Sequence, residues 1–181
     1  MSKPLPISRN FLLNDEIESN TIKDVIQGIL NVNESDNDRE QEYKDWVREP
    51  ILVFINSPGG SVYNGLALVD IIKRSKTPVY TICIGHAMSM GLWIFMAGHK
   101  RLIGSNATLM FHDISTYMKG KTEYVKQELE EMNRLQKMLI DEITSKSLVK
   151  TKQLEDYIEK KSEWYIPAAQ AISLELADSY Y

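Results

Sequence analysis

The stretch Ile51-Leu52-Val53-Phe54-Ile55-Asn56-Ser57-Pro58-Gly59-Gly60 runs from an unbroken apolar block directly into a turn. Such a run, rich in β-branched residues and closed by proline and two glycines, is the pattern of a buried strand that ends sharply. Downstream, Val62 to Lys73 sets Leu66, Val69 and Ile72 on one helical face, and after Pro78 a second strand-like block covers Val79 to Ile84. Strand, helix and strand over this span make a βαβ unit, which implies parallel pairing and a right-handed crossover. The alternation continues with a helix at Met90 to Ala97 and a strand at Ala107 to Phe111. The fold class is therefore α/β.

Working outward, residues 10–13 read as a first strand, and Ile22, Val25, Ile26, Ile29 and Leu30 recur at helical spacing. From Asn31 to Glu49 the chain turns polar and acidic. So few apolar side chains offset little ordering entropy, and a solvated loop or exposed helical extension is expected there. Beyond His112, Val125, Leu129, Met132, Leu135, Leu139 and Ile143 predict one long amphipathic helix over about 122–146. It is longer than a compact domain of this size needs, and its stripe is expected to be buried against another subunit. Leu154 to Tyr181 reads as two short helices around Trp164 and Pro167.

The 181 residues, 43% hydrophobic, suit one domain spanning 1–181. A formal charge of -4 with dispersed Lys and Arg argues against a nucleic-acid partner. Cys83 is the only cysteine, which suits a reducing compartment and excludes an internal disulfide. Met1 to Asn10 carries Pro4, Pro6 and Arg9 but no apolar block of signal-peptide or membrane-spanning type, so a cytoplasmic protein is expected. No His, Asp or Glu cluster has metal-ligand spacing and no phosphate loop is present, so neither a metal nor any other cofactor is expected. Cys83 sits inside an apolar strand and reads as a small core residue.

The chemistry concentrates in Gly85-His86-Ala87-Met88-Ser89-Met90-Gly91, which closes one strand and opens a helix. A serine there presents its hydroxyl beside unsatisfied helix N–H groups and a positive dipole end. The ordinary reading of such a serine is an N-cap. The Asn56 to Gly60 turn ends the neighbouring parallel strand, so both turns lie at the carboxyl edge of the sheet, where ligand sites form. His112 closes the next apolar strand on the same edge. His86 and His99 read as polar turn residues.

Phe54 to Gly60, Gly85 to Gly91 and Leu109-Met110-Phe111-His112 resemble, in order and spacing, the signature segments of the Clp protease proteolytic subunit family. The likeness runs from about Asn10 to Tyr180. It implies a Clp-protease/crotonase-type fold of repeated β-β-α units with a protruding handle helix, and a serine endopeptidase acting through an acyl-enzyme. By carry-over Ser89 is the nucleophile and His112 the base, with Gly60 and Met90 donating to the oxyanion. Pro58 and Gly59 shape the loop.

Glu163 stands where the family has the aspartate of its triad, with Asp113 and Asp156 as alternatives. Polypeptide substrates are expected along Gly60 to Val62 and a strand near Ile114 to Tyr117. The resemblance further implies a homo-oligomer of stacked, heptameric rings. The Ser89 to His112 interval is shorter than the common family form, with Gly98 to Arg101 as a tightened turn. The acidic segment is longer, and most of the family's pore-loop segment is missing, which leaves an AAA+ unfoldase partner open. A crotonase-type acyl-CoA enzyme and a catalytically silent ring subunit are the competing readings. Retention of both Ser89 and His112 favours the peptidase.

Overall fold

The computed structural model describes residues 7–115 and 121–181. Seven strands form one sheet: β1 (Asn10–Leu13), β2 (Ile51–Ser57), β3 (Val79–Met88), β4 (Lys100–Ile103), β5 (Thr108–Phe111), β6 (Trp164–Pro167) and β7 (Ser179–Tyr180). The order is β1-β2-β3-β4-β7, with β5 pairing both β3 and β6. Every pairing is parallel except β5 with β6. This is a mixed α/β fold with a mostly parallel sheet, as expected.

Ile51, Val53 and Ile55 point into the core from β2, while Leu52 and Phe54 are half-buried on the other face. Helix α2 (Val62–Arg74) packs on α1 (Ser19–Glu42) and on α3 (Met90–Ala97). All eight residues of α3 are buried, so this helix is apolar on every side because protein surrounds it on every side. Each such Ile, Leu or Phe contributes roughly 2 kcal/mol by leaving water.

Helix α1 decides between the alternatives left open for residues 31–49, and corrects the reason given for them. It continues to Glu42, and Asp36 within it is fully buried. Hydrogen bonds replace apolar burial here. Arg9 Nη1 donates to Asp36 at 3.0 Å and the Thr77 hydroxyl donates to it at 2.7 Å. Arg48 donates to Glu40, Asn37 and Thr77, and Asn33 accepts the backbone N–H groups of Lys76 and Thr77.

Three strands escaped the sequence reading. Lys100-Arg101 begins β4 rather than completing a turn, because Asp178 forks the Arg101 guanidinium and lets it be buried. Trp164–Pro167 is a strand with Trp164 and Ile166 inward, where a helix is expected; four residues are too few for their period to show. The C-terminal Ser179–Tyr180 pairs with β4.

Helices α4 (Thr122–Ser145), α5 (Thr151–Glu159) and α6 (Ala168–Ser173) complete the chain. The apolar stripe of α4 divides. Leu135, Leu139, Ile140 and Ile143 are buried in the chain's own core, whereas Tyr124 and Leu129 are 51% and 52% exposed. Among the described residues no helix is long and apolar enough to cross a membrane.

Burial alone would raise the Asp36 pKa, but the bonds from Arg9 and Thr77 outweigh it and hold the carboxyl below its ordinary 3.8. A depressed folded pKa means stability that is complete above the ordinary value and is lost as pH falls through the lower one. Asp36→Ala should lower the unfolding free energy by about 3 kcal/mol at pH 7 in urea titrations, since it strands a largely buried arginine. The variant should also lose less stability than wild type between pH 5 and the acid range, as a flag of the linkage.

Candidate active site

β3 changes partner along its length. Residues Tyr80–Cys83 pair with β4, and His86–Met88 pair with β5. The change occurs at Gly85, whose φ is +77° and where a Cβ would lie 2.5 Å from Asn56 Oδ1. That same oxygen accepts the His86 N–H at 3.3 Å. Opposite it, the β2 register shifts between Ile55 and Ser57.

One residue past β3, Ser89 adopts φ 52°, ψ -121°. A non-glycine residue in that region stores about 1–3 kcal/mol of strain and signals an imposed geometry. Ser89 occupies the N-cap position of α3, yet its side chain makes no capping bond. The ordinary N-cap explanation therefore does not account for it. Its N–H donates to the Met110 carbonyl at 2.9 Å, tying the serine to β5 two residues before His112.

The glycine turn after β2 lies against this corner. A Cβ on Gly59 would sit 2.7 Å from Ser89 Cβ and 2.9 Å from the Met88 carbonyl oxygen, and its φ is +103°. Gly60, at φ +142°, bridges to Ile17: the Ile17 N–H donates to Gly59 O at 2.7 Å and the Ser61 N–H to Ile17 O at 2.8 Å. The Gly59 N–H donates to Ser57 Oγ at 3.2 Å. The Gly60 N–H has no acceptor among the described residues. Met90 opens α3, so its N–H lacks an intrahelical acceptor. Two N–H groups thus remain available on the two segments that flank Ser89.

His112 is half-buried directly after β5, and its ring makes no hydrogen bond among the described residues. Glu163 directly precedes β6. The β5–β6 ladder ends at Phe111↔Trp164, so His112 and Glu163 are the residues that directly flank its last pair. The Glu163 carboxylate is exposed and accepts the Tyr165 hydroxyl at 2.5 Å, rather than the imidazole. Asp113 is half-buried and its carboxylate makes no hydrogen bond among the described residues, and Asp156 accepts from Lys152 at 3.1 Å on α5.

A cleft of about 250 Å³ starts at Gly60 and Ser61. Its walls are Val62 and Tyr63 on one side, Ile114 and Ser115 on another, and Glu128, Glu131, Met132 and Leu135 from α4. Ile114 and Ser115 are not in a strand, and Thr116 and Tyr117 of the expected strand lie outside the described residues. Tyr63 donates to Glu131 at 2.7 Å and Arg134 forks the same carboxylate, holding its pKa down at about 2. Tyr63 and Glu131 lie 68 residues apart, so no local sequence signal pairs them. A larger cavity of about 340 Å³ between α2, α3 and α4 contains none of the motif residues.

The remaining candidates settle simply. His99 Nδ1 accepts the Val79 N–H at 3.1 Å, a structural bond. Burial raises the Cys83 thiol to about 12, far from a thiolate. Among the described residues no His, Cys, Asp and Glu group could hold a metal ion.

The Clp protease family model matches residues 2–180, which contain all three motif strings. The chain belongs to the Clp protease family. It is 41% identical over 95 residues to the ATP-dependent Clp protease proteolytic subunit of Deinococcus radiodurans, a match covering 51% of this chain and 47% of that protein. It is 29% identical over 180 residues to proteolytic subunit 2 of Prochlorococcus marinus strain MIT 9313, covering 96% of this chain and 82% of the relative. Proteolytic subunit 1 of strain MIT 9312 is 25% identical over 172 residues, with 94% and 82% covered. The family is one of peptidases.

Gly59→Ala tests how tightly that corner is built. The added methyl meets backbone as well as Ser89, at a φ that L residues avoid. A loss of about 2 kcal/mol in unfolding free energy is expected in denaturant titration. A loss under 0.5 kcal/mol would mean that the turn and α3 do not meet as described.

Proposed function

We propose that this single-domain chain is a cytoplasmic serine endopeptidase with Ser89 as nucleophile. The observation that carries the reading is the strained, uncapped Ser89 flanked by two unclaimed N–H groups, one of them on Gly60, where a cleft begins. Strand-to-helix corners of this kind expose a nucleophile where backbone N–H groups converge. Ser89 Oγ attacks the scissile carbonyl while His112 takes its proton. The carbonyl oxygen becomes an oxyanion held by the N–H groups of Met90 and Gly60. His112 then protonates the departing amine as the C–N bond breaks, leaving an acyl-enzyme. Water, deprotonated by His112, releases the acid and restores the serine.

The extended substrate lies along Gly60 to Val62, paired through its main chain, with one side chain in the cleft beside Met132 and Leu135. Glu163 serves as the acceptor for the His112 Nδ1–H, fixing the tautomer and favouring the imidazolium. The exposed half of α4, with Tyr124 and Leu129, stacks one ring of subunits on another. Leu135 belongs to the chain's own core and takes no part in that contact. The relatives are named ATP-dependent, whereas these 181 residues contain no phosphate loop. The peptidase chemistry itself uses no ATP, and small peptides are cleaved without an AAA+ unfoldase.

Ser89→Ala should abolish fluorophosphonate labelling and lower peptide-ester hydrolysis by about four orders of magnitude or more. Hydrolysis surviving in Ser89→Ala would remove the mechanism, and acyl-CoA binding without labelling would replace it with the crotonase reading. Glu163→Gln should lower kcat by about a hundredfold or more, while Asp113→Asn stays within a few fold. The opposite pattern would transfer the third role to Asp113. Leu129→Glu should shift sedimentation from double to single rings, because it puts an unpaired charge into an apolar contact. A wild-type chain that sediments as a monomer would exclude the chamber.

A further inference from the structure

We infer that Tyr165 is a positioning residue of the active site: its hydroxyl holds one oxygen of Glu163 so that the other is presented to His112. The inference rests on the proposed role of Glu163 and adds a fourth member to that relay. Tyr165 lies on β6 directly opposite Met110, and the ladder ends at Phe111↔Trp164, the pair that His112 and Glu163 directly flank. Residues two apart on a strand share a face, and directly opposed residues share it too. Carried one step past the last pair, that alternation sets Glu163 and His112 on the face of Tyr165. Along β6 this is the outward face, since Trp164 and Ile166 turn inward while Glu163 and Tyr165 are exposed.

On that face the Tyr165 hydroxyl donates to Glu163 Oε2 at 2.5 Å. Oε1 has no hydrogen-bond partner among the described residues. A carboxylate accepts through both oxygens, so the tyrosine bond leaves full capacity for an imidazole N–H. The need for a clamp follows from the residue itself. Glutamate has one more rotatable bond than aspartate, and an exposed glutamate samples many rotamers unless something holds it. A phenol on the same strand face restrains the carboxylate without neutralising it. The bond to Glu163 pushes the phenol's pKa upward from its ordinary value, so Tyr165 keeps its proton and remains a donor near neutral pH.

The opposite role, a latch that keeps Glu163 from His112, predicts the reverse sign. Tyr165→Phe keeps the ring and removes only the donor. Peptide-ester kinetics should show kcat reduced about five- to tenfold with KM unchanged, the size of losing one bond to a charged, exposed group. The acid limb of kcat/KM should move to lower pH, because a loosely held carboxylate stabilises the imidazolium less. In a Glu163→Gln background the same change should have no further effect.

Glu163→Asp, with one bond fewer to restrain, should make Tyr165→Phe less costly than it is with glutamate. Wild-type kcat and pH profile in Tyr165→Phe, or a raised kcat, would overturn the inference. If Glu163→Gln is itself near wild type, the reading of Glu163 fails first. If Glu163→Gln collapses activity while Tyr165→Phe does not, only the clamp fails. Circular dichroism and sedimentation matching wild type exclude misfolding as the cause in each variant.

Discussion

The active corner depends on one backbone event, the exchange of partners by β3 at Gly85. A strand pairs along its whole length with one neighbour unless something bends it, and here the bend is a residue at φ +77° that no side chain could occupy against Asn56. Before the bend β3 builds the core sheet with β4; after it, β3 runs beside β5. The second pairing carries Ser89 to Met110, and hence to the strand that ends at His112. A straight β3 would leave serine and histidine on unrelated strands. The β5–β6 pair, the one antiparallel pairing in the sheet, then brings the Glu163 end of β6 to the same edge.

Around that bend the structure uses two kinds of cement. The inner layer is apolar, with α3 buried on every side between α2, β3 and α4. This rigidity matters to Ser89, because a residue at φ 52° persists only where its surroundings over-determine it. The outer layer is polar. Asp36 joins the N-terminal Arg9 to Thr77 at the entrance to β3, and Arg101 joins β4 to Asp178 near the C-terminus. Asp36 is fully buried and Arg101 largely so, whereas Asp178 is exposed; the attraction is less screened at the buried members, and these depend on their partners. The polar network thus closes the chain's two ends onto the sheet whose interior holds the serine.

The legible parts of the sequence were those where one physical signal dominated. Ile51 to Ile55 is apolar throughout and Val79 to Ile84 nearly so, with Thr81 the one polar residue and its hydroxyl donating to Phe95 O, because these parallel strands lie inside the sheet, and α2 shows its period because one face alone is covered. Ser89 was legible from its place between a strand and a helix, and Gly59 and Gly60 from their doublet. The C-terminal half of α1 was hard to place because its stability comes from Arg9, Arg48 and Thr77, which are distant in sequence. β4 was hidden because a buried Arg101 looks like a turn residue until Asp178 is brought to it. Tyr165 carries no sequence signal at all. Only the strand assignment for Trp164–Pro167, which replaced an expected helix, puts its hydroxyl on the same face as Glu163.

That correction bears directly on the chemistry. In a helix, residues two apart point in directions roughly opposite, and a hydroxyl at 165 could not steady a carboxylate at 163. In a strand they are neighbours on one face, and the last β5–β6 pair, Phe111↔Trp164, sits directly beside His112 and Glu163. The four-residue strand puts the Tyr165 hydroxyl where it donates to the Glu163 carboxylate, and that bond limits the extra torsion of the glutamate. An aspartate at 163 would carry one torsion fewer and need less restraint.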